Sequence, residues 1–130
     1  MKDLIDTVLE QINVGDCIVF SNNCCGVSYE FYQVVGKTPR SLKLRELEQW
    51  KHGNMLQYDC VPAGKDCFAN DTVITARLKL CGSDAVSIKV SYGYHAFLYD
   101  KNNHLGRDGN PYQPDVYDWD NPKAYEGCCD

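Results

Sequence analysis

Hydrophobic residues near the start of this chain recur every three or four positions between residues 3 and 12. That period matches one face of an α-helix, so the segment predicts an amphipathic helix. Asp3 is a suitable N-cap, and Asn13 and Gly15 are suitable residues for ending the helix. The apolar stripe of this helix consists of Leu4, Ile5, Val8, Leu9 and Ile12.

From residue 16 onward the period changes to two, which is the period of β-strands. The predicted strands cover residues 16–20, 28–35, 40–47, 55–60, 72–80 and 85–92. The turn or loop sequences between them are SNNCCG, GKTP, QWKHGN, VPAGKD and CGSD. In GKTP, Gly36 tolerates a positive φ, and Pro39 is expected to end the strand. The strands at 72–80 and 85–92 are predicted to form a hairpin around CGSD.

Apolar and polar side chains alternate within these strands, so one face of the sheet is predicted to be apolar. The inward-facing set is Leu42, Leu44, Ile74, Ala76, Leu78, Leu80, Val86, Ile88, Val90 and Tyr92, with the Val34–Val35 pair. Five or six short strands with one apolar face are typical of a small barrel. We therefore predict a mainly β fold, a small antiparallel SH3-like barrel or rolled sheet whose end the N-terminal helix closes.

A length of 130 residues indicates a single domain. Three parts are predicted within it: a helix at residues 1–13, a β-barrel core at 14–99 and an irregular, acidic C-terminal extension at 100–130. The number of cysteines is high for this length, at eight, and a metal site must therefore be considered.

The C-terminal extension also contains the aromatic residues Tyr112, Tyr117, Trp119 and Tyr125. Disordered segments are poor in aromatic residues, so we expect the extension to pack on the barrel. Its carboxylates would then lie near the basic side chains Arg77, Lys79 or Lys89.

The net charge of −5 argues against a general affinity for nucleic acid or membranes. No apolar run approaches the roughly 18 residues that a membrane-spanning helix needs. Asp3, Asp6 and Glu10 interrupt the apolar residues of the first segment, which therefore does not have the pattern of a signal peptide. We expect a cytoplasmic protein with no membrane partner.

Cysteines in a cytoplasmic protein are expected to be free thiols. Structural zinc sites use pairs of cysteines separated by two to four residues, and this chain has no such pair. We predict that Cys17 and Cys81 are small buried residues and that the other cysteines lie at the surface. Neither a metal nor a cofactor is predicted.

No motif in the sequence indicates catalysis. VVGKT lacks the second glycine and the following helix of a phosphate-binding loop. His52, His95 and His104 have no sequence relation to a cysteine that would indicate a thiol nucleophile and its base. We predict no catalytic residue, and hence a protein that is not an enzyme.

The outward-facing basic residues and several aromatic residues are the candidates for a ligand or partner surface. They are Tyr32, Lys43, Arg45, Arg77, Lys79, Lys89, Tyr117 and Trp119. Basic side chains beside exposed aromatic rings are the combination with which small barrels bind single strands of nucleic acid. Outward positions of any soluble barrel are also commonly basic, so this pattern does not by itself identify a ligand.

The segments VGDCIVF, FYQVVGKTPRSLKLREL and WDNPK resemble a family of short, uncharacterised proteins from phages and other mobile elements of Gram-positive bacteria. The resemblance covers about residues 14–122. The chain departs from the family pattern in NNCCGVSYE, in the long stretch before Trp119, and in Asp-Asn-Pro where Asp-Gly-Lys-Pro is expected. The resemblance implies an accessory protein of a mobile element and supplies no catalytic residues.

These observations predict a non-enzymatic interaction protein that acts on an unidentified host protein, including inhibition of a host defence system. One alternative is a small β-barrel that binds nucleic acid, which the basic strands suggest and the acidic total disfavours. Salt-dependent affinity for DNA or RNA would separate the two. A further alternative is a protein that sequesters a small nucleotide in a pocket lined by Tyr, Trp and Arg.

Overall fold

The computed structural model describes residues 3–22, 26–54, 56–81, 85–91, 94–100, 116–120, 122 and 124–129. Over these residues the chain is mainly β-structure with one short helix, α1, at Leu4–Gln11. The strands are β1 Cys17–Asn22, β2 Gly26–Lys37, β3 Ser41–Glu46, β4 Gln49–Gly53, β5 Gln57–Pro62, β6 Ile74–Arg77, β7 Lys79–Cys81, β8 Ala85–Ser91, β9 Tyr94–Asp100, β10 Val116–Tyr117 and β11 Tyr125–Cys129. Within the described part of the chain, no helix is long and apolar enough to span a bilayer.

Helix α1 begins at the predicted N-cap. The Asp3 carboxylate accepts a hydrogen bond from the Asp6 N–H at 3.0 Å, and the Asp6 carboxylate accepts one from the Asp3 N–H at 3.4 Å. This reciprocal arrangement is a capping box, which satisfies backbone donors that have no partner within the helix. The Arg40 guanidinium lies 2.8 Å from the Asp3 carboxylate and lowers its pKa, which ties the start of the helix to the β2–β3 turn.

Lys37, at the end of β2, holds the other end of the helix. Its ammonium group donates hydrogen bonds of 2.9 Å to the carbonyl oxygens of Leu9 and Ile12. Carbonyls in the last turn of a helix lack intrahelical donors, and a lysine there satisfies them and is favoured by the helix dipole. The amphipathic helix predicted from the sequence is confirmed, and both of its ends are fixed to the barrel.

The barrel is nearly closed because one segment of the chain joins its two edges. β1 pairs with β2, β2 with β3 and β3 with β6; β7 pairs with β8, β8 with β9 and β9 with β1. β6 and β7 are consecutive and are separated only by Leu78, whose N–H donates to the Arg40 carbonyl at 3.0 Å. All pairs are antiparallel, and the predicted small antiparallel barrel is confirmed.

The predicted hairpin of residues 72–80 with 85–92 is wrong in part. Only β7 pairs with β8, while β6 pairs with β3. Because the chain changes partners at Leu78, the alternation does not continue past it, and Leu80 is 48% exposed instead of facing inward. Tyr92, also predicted to face inward, lies outside the described residues.

The interior of the barrel is one apolar cluster that includes the helix. Its buried members are Ile5, Val8, Leu9, Ile12, Ile18, Phe20, Tyr32, Val34, Leu42, Leu44, Ala76, Leu78, Val86, Ile88, Ala96 and Leu98. Val35 was predicted to belong to the core with Val34 but is only half-buried, because neighbouring residues of a strand face opposite ways. Val90 is partly buried against the cluster.

Gly36 does not adopt the positive φ that a glycine tolerates. It lies within β2 opposite Lys43, next to a β-bulge between Val34 and Gly36. The turn that follows is formed by residues 38–40 instead. The bulge places Lys37 opposite Leu42 and directs its long side chain toward the helix end.

A second apolar cluster lies on the other side of the β1–β2 hairpin. Its buried members are Cys17, Val19, Tyr29, Phe31, Leu47, Cys60 and Tyr117, and Tyr58, Phe68, Trp119 and Tyr125 pack against them. Residues 17 to 20 are therefore all buried, since alternate side chains enter the two clusters. The expectation that the sheet has a single apolar face is wrong for this hairpin.

The second cluster is covered by a small sheet that the sequence did not predict. The residues predicted to form a turn, QWKHG, are the strand β4. This strand pairs with β5, and β5 pairs with β11. The actual turn follows Gly53, whose φ is 127°, and the Asn54 side chain accepts from the N–H groups of Leu56 and Gln57. An Asn side chain and a glycine with positive φ are the usual means of reversing a strand.

Two of the described strands, β10 and β11, come from the C-terminal extension. β10 pairs with β1 at Cys17 and Ile18, and β11 pairs with both β5 and β2. Packing of the extension on the barrel is thus confirmed for Tyr117, Trp119 and Tyr125. Tyr112 lies outside the described residues.

The expected ion pairs of the extension are not seen in the part that the structure describes. Asp118, Asp120 and Glu126 form no ion pair with the basic residues named above, Arg77, Lys79 or Lys89. Asp118 accepts a hydrogen bond from the Asp120 N–H in a turn, and Glu126 lies on β11.

Gly127 gives a test of the second cluster. A Cβ atom there would lie 2.5–2.8 Å from ring atoms of Tyr58, which is directly opposite on β5. We expect Gly127→Ala to lower the free energy of unfolding by about 1–3 kcal/mol, because the ring must move. Urea denaturation measures this, and the cost should shrink in a Tyr58→Ala background.

The matched control is Gly36→Ala. There a Cβ atom would meet only the flexible Lys43 side chain, at 3.4 Å or more. If Gly127→Ala costs no more than Gly36→Ala, the close packing of Tyr58 on Gly127 is contradicted.

Candidate functional site

Lys43 and Arg77 lie, as predicted, on the outside of the barrel. Both are exposed, on the paired strands β3 and β6, where Lys43 is opposite Thr75 and Arg77 is opposite Ser41. Their neighbours on this face are small or polar. The pair therefore forms a modest basic area with no aromatic residue in the facing positions.

Arg45 is on the same face but is engaged within the protein. Its guanidinium carbon lies 3.8 Å from the centre of the Phe68 ring, and it donates to the Asn70 carbonyl at 2.7 Å and to the Asp71 carboxylate at 3.2 Å. These contacts hold the loop that follows β5 against β3. Arg45 thus has a structural role and is less available to a ligand than the sequence suggested.

Lys79 and Lys89 are exposed but lie on other strands, β7 and β8. Lys79 lies opposite Ser87 in the β7–β8 pair, and Lys89 lies opposite His95 in the β8–β9 pair. The break at Leu78 separates these strands from β3 and β6. The predicted basic residues are consequently distributed over two strand groups instead of one continuous row.

The aromatic residues predicted for the same surface are turned inward. Tyr32 is 5% exposed in the barrel core, and Tyr117 is 7% exposed in the second cluster. Trp119 is half-buried, with its ring 5.2 Å from that of Tyr117, and its indole N–H donates to the Gly15 carbonyl at 3.0 Å. Their burial makes these three residues poor candidates for a ligand surface. Tyr32 faces the barrel interior with Val34, whereas Tyr117 and Trp119 cover the second buried side of the β1–β2 hairpin, which period alone does not show.

The barrel end away from the helix is lined by polar groups on the inner face. The Tyr32 hydroxyl donates to a Glu30 carboxylate oxygen at 3.3 Å, and the hydroxyls of Ser28 and Tyr94 lie 2.7 Å apart. Burial, and next the Glu46 carboxylate, raise the pKa of Glu30. Burial and these same carboxylates also raise the pKa of Tyr32. This is a part-buried acidic end of the barrel, in which the Tyr32 hydroxyl is bonded to Glu30 and the hydroxyls of Ser28 and Tyr94 are bonded to each other.

A cleft of about 350 Å³ lies beside the helix. Its walls are Asp6, Leu9, Glu10, Lys37, Thr38 and Pro39. Lys37, the cationic residue among the described residues of the wall, already donates to two helix carbonyls. The described part of the wall therefore presents carboxylates and apolar surface and contains no aromatic ring.

The cysteines differ from the prediction at two positions. Cys17 is buried as expected, but Cys81 is exposed and Cys60 is buried at 0% exposure. Cys60 belongs to β5, which covers the second cluster, whereas Cys81 ends β7 beyond the break at Leu78. Among the described residues, no three His, Cys, Asp or Glu side chains are grouped so that they could hold a metal ion.

The most exposed aromatic feature of the described chain lies on the outer side of the small sheet. We call this surface the β5 face, and its residues are Trp50, His52, Asp59, Val61 and Glu126. Trp50 is 62% exposed and lies opposite the half-buried Val61. Asp59 lies opposite both His52 on β4 and Glu126 on β11.

The sequence pattern predicts a turn at QWKHGN and therefore does not reveal the β5 face. The alternation of Trp50, Lys51, His52 and Gly53 in β4 is short and polar. The face is completed by β11, which pairs with β5 and lies far away in the sequence. The signal that could have found it is the HGN sequence, which places a turn after β4 instead of within it.

The chain was compared with models of protein families, with curated proteins and with solved structures, and none of the three comparisons gives a match.

Glu30 provides a test of the acidic barrel end. Its raised pKa means that the folded state favours the neutral carboxyl group, so its contribution to stability is present below the ordinary pKa of 4.5 and is lost as pH rises. Glu30→Gln should therefore raise the melting temperature at neutral pH, and this gain should disappear toward pH 4.5. Thermal unfolding across this range measures it.

The exposed Glu48 offers a matched control, since Glu48→Gln should leave the melting temperature unchanged at both ends of the range. A gain for Glu30→Gln that is the same at acidic and neutral pH would contradict the assigned cause.

Thiol accessibility is a second test. Burial raises the pKa of Cys17 to about 12 and that of Cys60 to about 11, whereas Cys67 and Cys81 are exposed. Since the thiolate is the reactive form, iodoacetamide should modify Cys67 and Cys81 in the native protein and spare the two buried thiols. Peptide mass spectrometry reads this directly. Modification of all four in denaturant is the control, and rapid native modification of Cys17 would contradict the described core.

Proposed function

We propose that this chain is a non-enzymatic protein-binding module and that the β5 face is its contact surface. The observation that carries the proposal is Trp50, which is 62% exposed on a regular sheet beside Val61. Tryptophan is among the residues most enriched at the energetic centres of protein interfaces. A rigid strand also presents such a side chain at little cost in conformational entropy.

Binding of nucleic acid receives less support from the arrangement of side chains. Stacking on bases requires exposed aromatic rings beside the basic groups. Tyr32 and Tyr117 are buried, and Arg45 is occupied by Phe68 and Asp71. The net charge of −5 further opposes binding to phosphates.

Sequestration of a nucleotide is also less well supported. The cleft beside the helix has Asp6 and Glu10 in its wall, and these would repel phosphate groups. Its Lys37 is already bonded to the helix carbonyls of Leu9 and Ile12. A nucleotide site is expected to offer free cationic groups and an aromatic ring, and the described residues of this cleft provide neither.

The proposed nature of the partner is based on the sequence resemblance to mobile-element proteins, which implies an accessory protein of such an element. We therefore propose a host protein as the partner, with a component of a defence system as one such target. Binding, and not chemistry on a substrate, is the proposed means of action.

A photo-crosslinking amino acid placed at position 50 tests this function. The full-length protein is expressed in a Gram-positive bacterial host, irradiated and examined by mass spectrometry. We expect discrete adducts with a protein from position 50 and none from position 43, which lies on the exposed β3–β6 face. Adducts from position 43 alone would overturn the assignment of the surface.

Fluorescence anisotropy with single-stranded DNA and RNA tests the competing function in parallel. Affinity for phosphates should fall steeply between roughly 50 and 200 mM salt. Tight binding with that dependence, lost in Lys43→Ser and Arg77→Ser, would replace our proposal with the nucleic-acid function.

A further inference from the structure

The β5 face consists of two rows of side chains that run across its strands. In the first row, Trp50 lies opposite Val61. In the second row, Asp59 lies between His52 and Glu126. Positions two residues apart along a strand are separated by about 7 Å, so an apolar row and an acidic row lie side by side at that spacing.

The acidic row carries two negative charges that no cation among the described residues pairs with. Asp59 and Glu126 are exposed and directly opposite each other, which brings their Cβ atoms to about 5 Å. Like charges in this position destabilise a sheet. Among the described residues, neither carboxylate forms an ion pair, since the ion pairs of the structure involve Arg40 and Arg45 elsewhere.

We infer that the β5 face binds a basic, extended segment of a partner protein, with a Lys or Arg over the Asp59–Glu126 pair and an apolar side chain against Trp50. This inference rests on the proposed function and names the chemistry of the partner. A guanidinium group carries five N–H donors, so it can donate to two neighbouring carboxylates at once, and such charge-assisted hydrogen bonds are strong. Residues i and i+2 of an extended segment have the same 7 Å spacing as the two rows.

A second copy of this chain is a poorer occupant. Stacking two β5 faces would place the acidic row of one copy near that of the other, and both copies carry a net charge of −5. Charge of one sign on a surface favours partners of the other sign and accelerates their approach. The occupant is therefore a basic segment of a different protein.

Isothermal titration calorimetry with synthetic peptides tests the inference on the full-length protein. The probe is a short serine peptide in which Arg and Ile stand at alternate positions. The comparison peptides carry Glu in place of Arg, or Ser in place of Ile. We expect binding of the Arg–Ile peptide, no binding of the Glu–Ile peptide, and weakened binding of the Arg–Ser peptide.

Variants of the protein separate the two rows. Asp59→Asn with Glu126→Gln should weaken binding of the Arg–Ile peptide by about tenfold and remove its dependence on salt. Trp50→Ser should weaken binding at all salt concentrations. Asp120→Asn, which removes one exposed carboxylate that is not part of the β5 face, is the control and should bind like the original protein.

The charge variant also reports on its own folding. Because it removes two like charges that face each other, its melting temperature should equal or exceed that of the original protein. Loss of peptide binding in a variant of undiminished stability would then be due to the missing carboxylates.

Failure of the inference is distinct from failure of the proposed function. If position 50 crosslinks to a protein but no basic peptide binds, the partner chemistry is wrong and the function stands. If neither occurs, both are overturned. Self-association that depends on Trp50, seen by analytical ultracentrifugation, would overturn the inference in favour of a second copy.

Discussion

The β1–β2 hairpin is the element on which the rest of the structure depends, because both of its faces are buried. Ile18, Phe20 and Tyr32 enter the barrel interior, while Val19 and Phe31 enter the second cluster. Consecutive residues of one hairpin thus contribute to two separate cores. Full burial of an aliphatic or aromatic side chain stabilises the fold by about 1.5–3 kcal/mol, and this hairpin supplies such side chains on both sides.

The two cores serve different purposes. The inner core packs helix α1 against the strands of the barrel. The outer one holds the small sheet of β4, β5 and β11 against the hairpin, with Tyr58 packed over Gly127. That packing fixes the orientation of the sheet and leaves its far side, the β5 face, available at the surface.

The sequence was most informative where one side of an element is buried and the other is in water. The helix and the inward positions of β3 and β8 were predicted correctly, since 3.6- and 2-residue periods record such one-sided burial. The CIVF run has no period, because both sides of β1 are buried. A continuous apolar run of this kind indicates a strand between two layers.

The position of the candidate site was less predictable, for a related reason. The β5 face exists because β11 pairs with β5, and a pairing between residues so distant in sequence leaves no local pattern. Arg45 was correctly placed on the outside, but only the fold brings Phe68 and Asp71 to it. The outward direction of a side chain can be predicted from period, whereas its partners depend on topology.

The pairing of β1 with β10 has a consequence for synthesis of the chain. Cys17 is matched to Tyr117, so an early strand receives a neighbour that is synthesised much later. Until β10 and β11 have been synthesised, the outer side of the β1–β2 hairpin lacks part of its cover, namely the Tyr117 and Tyr125 rings that pack on Phe31. The outer core is therefore completed only when these two strands emerge, and the nascent chain must keep part of an aromatic surface from aggregating until then.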